Sequence, residues 1–245
     1  MTRSEKISLS LIIIFSLLHL IWLFALPLLP FVDLPFHLAE ADVFKNFNNP
    51  DYLFSTYFMI PSTIKSNSIY IYFCSLNIFP NVEFANKLFY AIYIIILPLS
   101  VWSIIRNFNG NSYYSILSFL FLINHNVHWG FVSYMMSIPV IIFIYIAFYK
   151  YFVLNKLKSV YFIWILPIIV FFLHFQMAIF VVLIFGVLTI VYQRKSSKKI
   201  LTNTLSVIPV IIIMVYAYLI DSQSGATPLF SYMLNYYTSS YFKTF

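Results

Sequence analysis

Charged side chains are scarce in this chain: Asp, Glu, Lys and Arg make up 9% of its 245 residues, while 62% are hydrophobic. Soluble domains carry roughly one quarter charged residues, so the shortage excludes a water-soluble globular protein and leaves a polytopic membrane protein. Glycine is equally thin, at four residues, and no Walker loop, dinucleotide fingerprint or nucleophile elbow can be built. Cys74 is the sole cysteine, which excludes an intrachain disulfide. Acidic residues are half as frequent as basic ones, 7 against 14. In a soluble protein the resulting charge of +7 would suggest an anionic partner, but here the placement of the basic residues explains it and no nucleic-acid partner is expected.

What is present is a series of long apolar runs. Residues 7–30 follow Arg3 and Lys6 and are long enough to cross a hydrocarbon core about 30 Å thick. The run exceeds a signal-peptide core and lacks a small-x-small cleavage site, so it reads as a retained anchor. Further apolar blocks lie at about 84–105, 112–149, 160–192 and 200–220. "NHNVHWG" (124–130) interrupts the second and "HFQ" (174–176) the third, so each reads as a helical hairpin. The expectation is an all-α bundle of about seven transmembrane helices, one membrane domain over 1–245.

Charge sidedness supports this folding of the blocks. With the N-terminus cytoplasmic, Arg3, Lys6, Arg106, Lys150, Lys156, Lys158, Arg194, Lys195, Lys198 and Lys199 fall inside. Lys45, Lys65, Lys87 and Lys243 fall outside, with every acidic residue except Glu5. Residues 31–83 form an extracytoplasmic loop with an interfacial helix over about 34–48 and a second short apolar segment at 64–79; residues 222–245 form an extracytoplasmic tail.

The polar residues of that outer side are the candidate site. Asp33, His37 and Glu40 fall within a roughly 60° arc of a helix, with Asp42 opposite. Asn124, His125 and His128 come from one outer turn, His174 and Gln176 from another. Ionisable groups at a membrane boundary commonly line an aqueous cavity or a substrate path. The plainer alternative makes Asp33 a helix cap ahead of Pro35 and the histidines interfacial side chains. His19, within the first span, reads as a buried histidine bonded to a neighbouring helix. The spacing of "HNVH", with no nearby Cys or repeated carboxylates, indicates a divalent metal only weakly, and no cofactor is expected.

An N-terminal span leading into an outer loop with an early Asp and an acidic surface helix, followed by hairpins with histidines at their outer turns, resembles the membrane glycosyltransferases of the C-type fold (GT-C). The residues that carry the resemblance are "DLPFHLAEADVF" (33–44), "NHNVHWGFVSYMMSIPV" (124–140) and "LHFQMAIF" (173–180). Leu34 stands where the family's acidic pair commonly has its second carboxylate. The resemblance implies transfer of a hexosyl or pentosyl group from a polyprenyl-phosphate carrier to an extracytoplasmic acceptor, with inversion at the anomeric carbon. It makes Asp33 the catalytic base, with Glu40 and His37 beside it. Lys65, Asn124, His125, His128, His174 and Gln176 become candidates for holding donor or acceptor.

A lipid or solute transporter could use the same polar groups as a vestibule, but transporters place broken helices and polar groups near the midplane, whereas these spans are nearly free of charge. A non-catalytic or truncated membrane module is the third alternative, and because family members usually continue beyond seven spans an N-terminal portion of a transferase is expected. The absence of an N-x-S/T sequon points to a bacterial inner membrane, with membrane lipid as the surrounding partner.

Overall fold

The computed structural model describes residues 1–58, 60 and 65–223, with side chains through 219. Among the described residues there is helix and no strand, and the tail expected at 222–245 lies outside them from 224 onward. The chain is an all-α bundle. Among the described residues five helices are long and apolar enough to cross a membrane: α1 (Arg3–Ala25), α5 (Val82–Asn107), α7 (Val132–Phe148, prolonged by a π-helical turn Tyr149–Val153), α9 (Phe175–Gln193) and α10 (Ser197–Gln223). Short helices α2 (Leu34–Lys45), α3 (Phe54–Tyr57), α4 (Ile69–Cys74) and α6 (His125–Trp129) lie between them, and α8 (Val160–Leu173) is an apolar helix of intermediate length.

Each boundary has a local cause. Thr2 and Glu5 close a capping box at the start of α1, satisfying amides that the helix itself leaves free. The helix stops at Ala25 because Leu26 precedes Pro27 and is already extended, at φ −75° and ψ 133°. The first helix therefore ends ahead of Pro27, short of the end of the apolar run at residue 30. Asn81 caps α5 by accepting from Phe84 N at 2.8 Å. The apolar block at 160–192 breaks at His174, whose φ of −161° leaves the helical region.

The segment Ser112–Phe121, counted in the sequence as a span, is a 3-10 helix of ten residues. Three residues per turn align Ser112, Ser115 and Ser118 in one buried row, against α1 and α5, and Tyr114, Leu117 and Leu120 in one exposed row. Ser115 Oγ donates to Ser112 O and Ser118 Oγ to Ser115 O, both at 2.6 Å. Small side chains let this segment approach its neighbours closely. At about 2 Å per residue it covers roughly 20 Å, more than the same residues would as an α-helix.

The core has two parts joined by α7. Leu23, Leu34, Ala41, Tyr70, Phe89, Met135 and Leu173 belong to one, and Ile144, Phe148, Ile163, Phe171, Phe185 and Val210 to the other. Over its apolar window α7 is 56% buried, against 22% for α1, α9 and α10. The outer helices present Ile13, Leu17, Leu18, Ile21, Leu183, Val187 and Ile190 outward, as helices facing hydrocarbon do.

Candidate functional site

The end of the bundle opposite the N-terminus is built around α2. Its apolar side, Leu34, Leu38 and Ala41, packs on α4 and α5, leaving Asp33, His37 and Glu40 half-buried on a neighbouring side. Residues 32–34 are pinned to the turn made by α6. Val32 N donates to His128 O at 3.0 Å and Asp33 N to Trp129 O at 3.1 Å.

Gly130 makes that docking feasible. Its φ of +88° ends α6, and a Cβ there would stand 3.3 Å from both Asp33 N and Leu34 N. Only glycine takes this backbone conformation without cost and admits so close an approach. The turn is further set by Asn124, whose Oδ1 accepts from Asn126 N and Val127 N while its Nδ2 donates to Phe121 O at 2.9 Å. The polar atoms of Asn124 are thus engaged in the turn itself.

Asp33 occupies the N-cap position of α2, yet its side chain makes no capping bond. The residue is already helical, at φ −88° and ψ −1°, whereas a capping side chain requires extended backbone. The carboxylate is left available, and only the carbonyl serves the helix, accepting from His37 N at 3.2 Å. Asp42, on the far side, accepts from Asn46 Nδ2 at 2.8 Å.

The neighbours of Asp33 are tuned by burial. His37 lies edge-on to Tyr70, centroids 5.9 Å apart; burial holds its pKa below the ordinary histidine value, with the nearby Asp33 charge pulling the other way. Burial pushes Glu40 above the usual carboxylate range, opposed by Lys65. Lys45 donates to Phe79 O at 2.6 Å and Lys87 to Leu26 O, whereas among the described lysines of this end the exposed Lys65 makes no side-chain hydrogen bond and acts on Glu40 only through its charge.

The remaining candidates are dispersed. His125 and His128 are exposed, the former edge-on to Trp129 at 5.9 Å. His174 lies edge-on to Tyr134 of α7 at 5.1 Å; its Nδ1 is buried without a hydrogen-bond partner, and burial lowers its pKa. Gln176 is exposed in the first turn of α9. His19 is also at variance with its expectation: its ring bonds Phe15 O of its own helix at 2.8 Å. Among the described residues no group of His, Cys, Asp and Glu is placed to hold a metal ion.

Sequence reasoning did not single out the polar residues beneath α2. Tyr70 OH donates to Asn86 Oδ1 at 2.8 Å, and Tyr90 OH is buried without a partner. Burial pushes the Cys74 thiol up to about 12. These side chains come from an apolar-looking stretch and from inside a span, and no motif marks them.

The arrangement is that of an α-helical bundle with lipid-suited flanks and a half-buried acid–histidine patch at one end. No family model, curated protein or solved structure matches the chain.

Proposed function

We propose that the protein is an integral-membrane glycosyltransferase that moves a sugar from a polyprenyl-phosphate carrier to an acceptor on the side of α2, in a bacterial inner membrane with the N-terminus cytoplasmic. The observation that carries this reading is the Asp33 carboxylate, which makes no capping bond although its backbone is fastened to the His128–Gly130 turn. A general base must be held within hydrogen-bond reach of the proton it takes, and fastening the backbone supplies that positioning. Asp33 would accept the proton of the acceptor hydroxyl as its oxygen attacks the anomeric carbon, and the carrier phosphate would leave with the bonding electrons. Glu40 and His37, on the same side of α2, would contact the acceptor. Lys65, His125 and His128, all exposed, suit the phosphate of a donor that stays at the interface. His174, against Tyr134, and the exposed Gln176 stand further along this end.

The transporter reading draws on prolines inside α5, α7, α8 and α10. Each of these helices nevertheless runs on through its proline, without the unwound segments that form transporter sites. Purified full chain in liposomes, given a panel of radiolabelled polyprenyl-phosphate sugars and an acceptor extract, tests the proposal. Label passing to an acceptor supports it. Translocation of label across the bilayer with no bond to the carrier broken would replace it with the transporter reading.

A further inference from the structure

The basic side chains at the N-terminal end of the bundle play no part in that site. Two loops supply most of them: Lys150, Lys156 and Lys158 between α7 and α8, and Arg194, Lys195, Lys198 and Lys199 between α9 and the first turn of α10. The structure holds the loops side by side. Tyr151 OH donates to Asn203 Oδ1 at 2.7 Å, and the Phe152 ring stacks on Tyr192 at 5.7 Å. Within the first loop Lys156 N donates to Lys150 O at 2.8 Å.

Among the described residues these cations have no paired counter-charge. None of the seven side chains forms an ion pair or hydrogen bond with a described residue, and no Asp or Glu occurs between Glu83 and Asp221. Glu5, the acidic residue of this end, is already bound to Arg106 at 2.8 Å. Lys198 and Lys199 even occupy the first turn of α10, where the helix dipole disfavours positive charge. Tyr161, Trp164 and Tyr192 lie next to the two loops and are exposed, the placement of aromatic side chains at a membrane interface. Basic loops bordered by such exposed aromatic side chains suit headgroup depth.

We propose that these two loops form one binding surface for anionic phospholipid headgroups of the leaflet on the N-terminal side. Phosphate-bearing headgroups are the anions held at that depth, and basic clusters flanking membrane helices attract them. The assignment is independent of the transferase reading, since it uses none of the residues of that site.

Electron spin resonance of the full chain in phosphatidylcholine vesicles, with trace spin-labelled phosphatidylglycerol or phosphatidylcholine, tests it. The motionally restricted fraction should favour phosphatidylglycerol severalfold. That preference should vanish in 1 M salt, where the screening length is about 3 Å. It should also fall markedly in the variant K150Q/K156Q/K198Q/K199Q, which removes four of the seven cations, and an unchanged preference there would overturn the assignment to these loops. Equal restriction of the two lipids by the unaltered protein, or a preference indifferent to salt, would overturn the proposal without relying on any variant. Loss of the preference on adding inorganic phosphate at constant ionic strength would also overturn it, by showing a site for soluble anions instead.

Discussion

Asp33 and Asp42 sit on the same short helix and differ in what their carboxylates are asked to do. Asp42 is bonded to Asn46 one turn on, while Asp33 is kept out of capping by its own helical backbone. In the transfer assay Asp33→Asn should lower turnover by about 10²–10⁴-fold, the usual loss for a general base. Asp42→Asn should retain most activity, and the reverse ranking would place the chemistry on the other side of α2. Glu40 offers a test by pH. Burial raises its pKa from the ordinary value of 4.5, so the folded state binds this proton more tightly than the unfolded chain. Its contribution to stability is then present below pH 4.5 and disappears as pH rises through the folded value. Glu40→Gln should therefore melt at or above the parent temperature at pH 7, with the difference closing at pH 4. A lower melting temperature at pH 7 would mean that attraction to Lys65 outweighs burial.

At the scale of elements, the α6 turn and the serine-lined 3-10 helix make separable predictions. Gly130→Ala places a methyl group against the amides of Asp33 and Leu34 and forces a side chain into positive φ, at about 1–2 kcal/mol for the backbone alone. The expected result is a loss of transfer activity that tracks displacement of Asp33, with the far-ultraviolet circular dichroism of the bundle unchanged. Full activity would show that the docking of residues 32–34 does not position the carboxylate. In the 3-10 helix the two rows should respond oppositely. Ser115→Leu must drive α1 or α5 apart, costing about 1–3 kcal/mol by overpacking, whereas Leu117→Ser, on the exposed row, leaves those contacts in place. Thermal unfolding in one detergent ranks the pair, and equal destabilisation would argue against the serine-side contacts.

For the whole molecule, the question is sidedness. Phe108 and Tyr149 meet at 4.3 Å and Glu5 binds Arg106, placing the N-terminus and the α5 and α7 ends together, while His125–Trp129 is at the opposite end. Cys74 is fully buried and its thiol is pushed up to about 12, so it should resist maleimide in the folded protein. Against that silent background, Asn155→Cys and Ser197→Cys should label from the same side as Ser4→Cys, and His125→Cys from the other. Labelling of positions 155 and 125 from one side would break the topology.

The sequence by itself determined the all-α class and the long apolar helices, because a long apolar run has few ways to satisfy its backbone other than as a helix. The break at His174, the turn at 124–130 and the apolar side of α2 are all legible in that way. Other features needed the tertiary structure. The run at 112–121 has the composition of a span; its serines recur every third residue in the sequence, but only packing against α1 and α5 makes them the buried row of a 3-10 helix. Asn124 is a plausible ligand in sequence and a turn-builder in space. Asp33 suits either capping or catalysis in the sequence, and the helical backbone angle that separates those roles belongs to a segment held by hydrogen bonds from Val32 to His128 and from Asp33 to Trp129, far away along the chain. A helix cap is a local matter that spacing can suggest. Whether a carboxylate is left free depends on a partner segment that only folding brings beside it.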